Sequence, residues 1–203
     1  MNAQQYKVVL VGDGEVGKTT YVKALLSGGE FESQYVPTDA AAVYPLKLTT
    51  SHGDIVLNVW DSAGQEKYAG LRDALYIGAQ GILFMFDVTR SVTYKNIPSW
   101  HRDAERVALN APGVLVANKI DVADREVKTG NVQFHRMKNL NYTEISVKDG
   151  THLVAPLLHL ARTLTAKEEL VITAVNERAV PAAWLPAAGD VTQHVPVDDD
   201  DEL

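Results

Sequence analysis

The sequence predicts an α/β protein with a doubly wound, mostly parallel sheet of six strands and helices on both faces. Three apolar runs, at residues 7–11, 81–87 and 114–117, are typical of strands that are buried on both faces. Segments with helical periodicity lie between them, and strands that alternate with helices form parallel sheets. Ligands of such sheets bind at the carboxyl ends of the strands, so we expect the functional residues in the loops at that edge.

The other elements follow from local patterns. In chain order they are a helix over about 20–26, hairpin strands over 43–50 and 54–60, a loosely helical segment to 79, a helix over about 91–109, a weaker helix over about 132–140, a strand over 142–145 and a helix over about 153–165. Pro98 either kinks the helix over 91–109 or marks its true start. From about residue 170 Pro181, Pro186 and Gly189 interrupt the pattern. We therefore expect a domain at 1–168 and, at 169–203, a linker with an acidic tail that lacks its own core.

Composition excludes several classes of function. The 203 residues have a formal net charge of −7, so the protein as a whole is a poor candidate for direct nucleic-acid binding. The sequence has no cysteine, which excludes disulfides, thiolate metal sites and lipid attachment through sulfur. The first residues do not have the pattern of a signal peptide, and no apolar run reaches the length of a membrane span. We expect no membrane anchor and a cytosolic or nuclear location.

A glycine-rich loop at residues 12–19 indicates phosphate binding. It has the pattern Gly-x-x-x-x-Gly-Lys-Thr and lies between the first predicted strand and the first predicted helix, which is the context that the motif requires. Its backbone N–H groups and the helix N-terminus would bind a phosphate chain, Lys18 would reach the outer phosphates, and the Thr19 hydroxyl would bind Mg²⁺. The predicted contact residues are Asp13, Gly14, Glu15, Val16, Gly17, Lys18, Thr19 and Thr20. The loop predicts a nucleoside triphosphate as ligand.

The tetrapeptide at 118–121 indicates that the base is guanine. The Asp121 carboxylate can accept hydrogen bonds from N1–H and the exocyclic amine of guanine, whereas adenine offers no such donor pair. Asn118 and Lys119 precede it directly after a predicted strand. A second stretch, Ser146, Val147 and Lys148, would close the far side of the base through backbone N–H groups and the lysine stem; on its own it could equally be an ordinary strand end.

Residues near the predicted second and third strands provide the expected catalytic groups. Asp61 would hold Mg²⁺ through a water, and Thr38 is the natural second hydroxyl ligand of that ion. The Gly64 N–H would meet the γ-phosphate, and Gln65 would orient the attacking water. No arginine lies between residues 31 and 39, and such a residue is worth ~10³–10⁵ in rate, so we expect slow hydrolysis without a partner.

The order of these motifs resembles that of the Ras-like small GTPases, and longer stretches resemble their Ran branch. The stretches are Gly70-Leu-Arg-Asp73, Val92-Thr-Tyr-Lys-Asn96, Trp100-His-Arg-Asp103, Val132-Gln-Phe-His-Arg136, Lys138-Asn-Leu140 and the acidic end of the chain. The resemblance covers residues 6–166 well and implies the P-loop small GTPase fold, with Tyr35 as a further nucleotide contact. It also implies GTP/GDP as ligand and substrate, Mg²⁺ as cofactor, and a role in transport between nucleus and cytoplasm. The implied partners are importin-β-class receptors, an exchange factor, a GTPase-activating protein and Ran-binding domains.

The chain departs from the Ran pattern at several places. Glu15 stands in the phosphate loop where a small residue is usual, Ala40 and Ala42 replace a glycine and a glutamate, and Met137 interrupts a basic stretch. Two alternatives therefore remain. A GTPase of vesicle traffic is disfavoured because that branch needs a lipidated cysteine. A module that binds GTP with negligible hydrolysis is favoured by Glu15 and Ala40 and opposed by Gln65.

Overall fold

The computed structural model describes residues 3–31, 42–62 and 69–186, with the backbone alone at 69–72. The strands are β1 (Gln4–Val11), β2 (Ala42–Thr50), β3 (Gly53–Asp61), β4 (Gly81–Asp87), β5 (Gly113–Asn118), β6 (Asn141–Glu144), β7 (Ile172–Val175) and β8 (Arg178–Ala179). The helices are α1 (Lys18–Ser27), α2 (Ala69–Tyr76), α3 (Ser91–Lys95), α4 (Ile97–Val107), α5 (Phe134–Met137) and α6 (Ala155–Thr165). Short 3₁₀ turns lie at Thr129–Asn131 and Ala182–Trp184.

The strands form a single mixed sheet in the order β6-β5-β4-β1-β3-β2-β7-β8. Strands β6, β5, β4, β1 and β3 run parallel, whereas β2, β7 and β8 join by antiparallel pairing. The prediction of six strands is wrong, because the described part of the chain contributes eight. The doubly wound, mostly parallel architecture is confirmed, with β1 at the point where the strand order reverses.

The two additional strands come from the segment that sequence patterns left without structure. β7 pairs with the edge of β2 at residues 48–50, and a two-residue turn with φ of 48° at Asn176 and 67° at Glu177 leads into β8. This left-handed turn matches the twist of a hairpin. Leu170, Ile172 and Trp184 are buried in the core, so the segment to residue 186 packs on the sheet rather than leaving it. The division at residue 168 stays a prediction.

Two apolar cores lie on opposite faces of the sheet. Successive side chains of a strand point to opposite faces, so Val8 and Leu10 of β1 enter one core while Val9 and Val11 enter the other. The first core lies against α1 and α6, and the second lies against α2, α4 and α5. Burial on both faces explains why β1, β4 and β5 appear in the sequence as continuous apolar runs.

The predicted helix over 91–109 is two helices in the structure. α3 ends at Lys95 and α4 begins at Ile97, with Pro98 in its first turn. Proline has no N–H to donate and is tolerated in a first turn, where that group has no helical partner. Of the two alternatives for Pro98, the helix start is therefore the one that the structure shows. No helix in the described ranges is both long and apolar enough to cross a membrane.

Candidate functional site

The predicted nucleotide loops converge at the carboxyl edge of the sheet. The loop at 12–17 follows β1, the loop that begins at Lys119 follows β5, whose last residue is Asn118, and the loop that begins at Ile145 follows β6. The strand order reverses at β1, and ligands of doubly wound sheets bind at such a point. The residues that the sequence assigned to phosphate and to base therefore meet, although they are more than a hundred positions apart.

Two glycines of the phosphate loop are required by close contacts. Gly12 has a φ of 144°, and a Cβ there would lie 2.1 Å from the backbone oxygen of Met85. Gly17 has a φ of 100° and directly precedes α1; a Cβ there would lie 2.4 Å from Nδ2 of Asn118. Both positions combine a left-handed backbone with no space for a side chain. The loop thus packs tightly against β4 and β5, with the N-terminus of α1 at its end.

Lys18 lies folded over the loop that it follows. Its Nζ donates hydrogen bonds of 2.8 Å to the backbone oxygens of Gly12 and Asp13. The residue is 5 % exposed. Burial lowers the pKa of Lys18 to about 8, and the negative charges of Asp61 and Asp13 oppose that shift. An anionic ligand next to the ammonium group would therefore stabilise its charged form.

Thr19 and Asp61 meet at the predicted metal position. The Thr19 hydroxyl donates a 2.6 Å hydrogen bond to Oδ2 of Asp61. The other carboxylate oxygen, Oδ1, is buried and has no hydrogen-bond partner among the described residues. Burial raises the pKa of Asp61, against the opposing effects of the Thr19 hydrogen bond and the Lys18 charge. A buried carboxylate oxygen without a partner, next to a hydroxyl, fits Mg²⁺ and its bound water, since this ion prefers hard oxygen ligands.

Asn118 connects the phosphate loop with the base loops. Its Nδ2 donates to the backbone oxygen of Val16 at 2.8 Å. Its Oδ1 accepts hydrogen bonds from the backbone N–H of Lys119 at 2.8 Å and of Val147 at 3.2 Å. Asn118 is 2 % exposed. One buried amide therefore joins the phosphate loop with both predicted base segments.

The predicted guanine-binding aspartate is held in place from the second base segment. Oδ1 of Asp121 accepts a 2.7 Å hydrogen bond from the Ser146 hydroxyl. The Lys148 ammonium lies 3.7 Å from Oδ2 of the same carboxylate. The structure thus brings Asp121, Ser146, Val147 and Lys148 together as the sequence predicts. Their contacts with a base stay predictions.

Sequence patterns did not identify Asp87, which is a partner of the Lys119 side chain. Its Nζ donates to the backbone oxygen of Glu15 at 2.9 Å and lies 2.7 Å from Oδ2 of Asp87. Asp87 is fully buried at the end of β4, and its other oxygen accepts hydrogen bonds from Thr89. The sequence did contain a signal for a role of Asp87 in the site, because it is a polar residue at the end of an otherwise apolar strand of a parallel sheet.

The phosphate loop also has partners in the segment that begins after β4. Oδ1 of Asp13 accepts a 2.8 Å hydrogen bond from the Trp100 indole, and Oδ2 accepts one of 2.7 Å from the Asn96 amide. Arg90 donates to the Glu15 carboxylate at 3.1 Å and to the backbone oxygen of Gly14 at 3.3 Å. No local pattern linked these residues to the loop. The structure alone shows that residues 90–100 support it.

Several predicted site residues lie outside the described part of the chain. They are Tyr35, Thr38, Ala40, Gly64, Gln65 and the acidic residues at 198–202. Their predicted roles stay predictions. Of the remaining predicted contact residues, Val16 has a buried side chain, and Thr20 lies in the first turn of α1.

A comparison with protein-family models gives a match over residues 7–166 to the model described as the Ras family. The match includes most of β1, all of β2 to β6, the six helices of the described ranges and the loops of the candidate site. Strands β7 and β8 lie beyond it.

Proposed function

The chain belongs to the Ras family, and on that premise we propose that it is a Ran-type switch in transport between nucleus and cytoplasm. Membership makes it a small GTP-binding protein that hydrolyses GTP, binds GTP and GDP with Mg²⁺, and acts with exchange factors and GTPase-activating proteins. The transport role, the individual contact residues and the location in nucleus and cytoplasm are parts of the proposal.

The convergence of Lys18, the Thr19–Asp61 pair and Asp121 at one sheet edge carries the nucleotide part of the proposal. Lys18 would contact the outer phosphates, and Asp121 would select guanine by accepting two hydrogen bonds. Thr19 and Asp61 would hold Mg²⁺ with Thr38. Bound there, Mg²⁺ would neutralise charge on the phosphates.

Hydrolysis in this proposal depends on a residue and a partner that act together. Gln65 would orient the attacking water, and the activating protein would supply the positive charge that residues 31–39 lack. The rate without a partner should therefore be low. The two loops that contain Thr38 and Gln65 would bind partners in the GTP state and release them after hydrolysis.

The Ran-type part of the proposal is supported by the sequence. The stretches at 92–96 and 100–103 resemble Ran, and the structure uses Asn96 and Trp100 from them to hold Asp13 of the phosphate loop. The absence of cysteine disfavours the vesicle-traffic alternative, since that branch relies on lipid anchoring. The proposed partners are importin-β-class receptors and Ran-binding domains.

A binding experiment tests the transport role. Full-length protein loaded with a non-hydrolysable GTP analogue, or with GDP, is passed over an immobilised importin-β-class receptor and an immobilised Ran-binding domain. We expect retention of the GTP form alone on both. Deletion of residues 198–203 should weaken retention on the Ran-binding domain and flatten its salt dependence, because exposed charges are screened at high salt. Equal retention of the GTP and GDP forms, or none, would refute the Ran-type assignment.

One observation favours the second candidate, a GTP-binding module with negligible hydrolysis. Glu15 has a φ of 66°, a left-handed conformation that costs a residue with a side chain, and it brings a negative charge to the phosphate loop. Single-turnover hydrolysis with and without an activating protein separates the candidates. An enzyme shows slow turnover that the partner accelerates, whereas the module shows neither.

A further inference from the structure

Glu15 brings a negative charge to a loop whose task is to bind a negatively charged phosphate chain. Like charges repel, so an unpaired carboxylate at this position would weaken phosphate binding. Its backbone also has the left-handed conformation that favours glycine, with φ at 66°. Other residues of the chain must therefore neutralise this side chain and hold this part of the loop.

Arg90 makes both of the required contacts. Its Nη1 lies 3.1 Å from the Glu15 carboxylate and donates to the backbone oxygen of Gly14 at 3.3 Å. One guanidinium thus neutralises the charge and holds the preceding peptide. On the other side, the Lys119 ammonium donates to the backbone oxygen of Glu15. The loop is held between the segment after β4 and the segment after β5.

The backbone of Arg90 is fixed where it can serve this purpose. Its N–H donates to the backbone oxygen of Asp87, and its carbonyl accepts hydrogen bonds from the hydroxyl and the N–H of Thr93. Asp87 ends β4, so the position of Arg90 is set by the sheet. The side chains of Arg90 and Glu15 are 40 % and 60 % exposed, which leaves the pair open to salt.

We propose that Arg90 is a positioning residue that controls how long a guanine nucleotide stays bound, because it neutralises Glu15 and holds the phosphate loop. The proposal rests on the guanine-nucleotide binding proposed above. It assigns Arg90 and Glu15 to one functional unit, so each residue has its full effect only when the other is present.

The test measures the release of fluorescently labelled GDP from the full-length protein with Mg²⁺ present. Arg90→Ala should accelerate release about three- to tenfold at low salt, the range expected for an exposed ion pair plus an unpaired charge near phosphate. The acceleration should shrink as salt rises from about 0.05 M to about 0.5 M, because salt screens the exposed charge. Arg90→Lys should give an intermediate rate, since it keeps the charge but not the fork of donors.

The double variant separates this role from a purely structural one. Glu15→Gly removes the charge and relaxes the backbone, so Arg90→Ala should accelerate GDP release much less in the Glu15→Gly protein, where only the contact with the Gly14 carbonyl is lost. A folding defect caused by the loss of Arg90 would instead persist in the double variant. Lys47→Ala is the matched control, because it also breaks an exposed ion pair. The side chains of Lys47 and Asp54 are 41 % and 39 % exposed, and the pair lies in the β2–β3 hairpin rather than at the phosphate loop.

Each outcome is decisive. Release from Arg90→Ala at the wild-type rate would overturn the proposal, as would an equal effect of Arg90→Ala with and without Glu15. Acceleration by Lys47→Ala of the same size would overturn it too, since the effect would then be general. Failure of the wild-type protein to bind labelled GDP would instead refute the proposed function.

Discussion

Nucleotide affinity should fall as the pH rises through the range in which Lys18 loses its proton. Burial lowers the pKa of Lys18 to about 8, whereas an exposed lysine titrates near 10.4. Phosphate oxygens favour the charged ammonium, so the complex keeps a proton that the protein without nucleotide has begun to release. Binding above this pKa must therefore be accompanied by proton uptake, and affinity decreases with pH.

The size of the effect follows from the linkage of one proton to binding. With a pKa of about 8 for Lys18, the Kd should rise about fourfold between pH 7.0 and pH 8.5. At pH 8 about half a proton should be taken up for each nucleotide bound, because half of the ammonium groups are then neutral. A lysine with an ordinary pKa would give almost no change over this interval.

Calorimetry in pairs of buffers with different ionisation enthalpies measures the proton uptake directly. GDP is titrated into the protein at constant Mg²⁺, and Lys18→Met is the control whose affinity, although low, should not depend on pH in this interval. Asp13→Asn removes a charge that raises the pKa of Lys18, so its affinity should begin to fall at lower pH. An unchanged wild-type Kd, or no proton uptake at pH 8, would refute this account of Lys18.

Three further predictions concern single substitutions. Asp121→Asn should shift the preference from guanine to xanthine nucleotides in competition binding, because an amide no longer accepts both hydrogen bonds; unchanged GDP affinity would contradict the role of Asp121. Gln65→Leu should leave GTP binding nearly intact and reduce partner-stimulated turnover by orders of magnitude, and unchanged single-turnover rates would point to another group that orients the water. Trp100→Phe removes the indole N–H that bonds Asp13, which should lower the free energy of unfolding in urea by ~1–3 kcal/mol and accelerate GDP release. Release at the wild-type rate from a destabilised Trp100→Phe would mean that the Asp13 contact supports only the fold.

The parts of the fold that the sequence predicts correctly are those with strong local signals. β1, β4 and β5 are apolar runs because both of their faces are buried, and α1 ends at Ser27, followed by Gly28, whose φ of 85° favours glycine. β7 has four residues, too few for a clear alternation, and its place beside β2 depends on pairings such as Leu48 with Val175, which are far apart in the sequence. Short strands at a sheet edge are determined by the surface they join, which no local pattern shows.

The candidate site likewise has parts that local sequence patterns predict and parts that they do not. The loop at 12–19 and the tetrapeptide at 118–121 are contiguous, so their spacing could be recognised without a structure. The partners of Asp13 and Glu15 lie 75 to 87 positions away, in a segment whose own pattern indicated only a helix. Such pairs require knowledge of which helix faces which loop, and that knowledge comes from the folded chain.

Every residue of the phosphate loop from 13 to 16 is held by a side chain from the end of β5 or from the segments after β4 and β5. Trp100 and Asn96 hold the Asp13 carboxylate, and Arg90 contacts the Gly14 carbonyl and the Glu15 carboxylate. Lys119 holds the Glu15 carbonyl, and Asn118 holds that of Val16. The same Asn118 amide accepts from the Val147 N–H in the second base loop. These hydrogen bonds join the phosphate loop to the loops that are predicted to bind the base. A displacement of either part must therefore change the other. A partner that acts on the loop after β5 could thus loosen the phosphates as well as the base, without touching the phosphate loop itself.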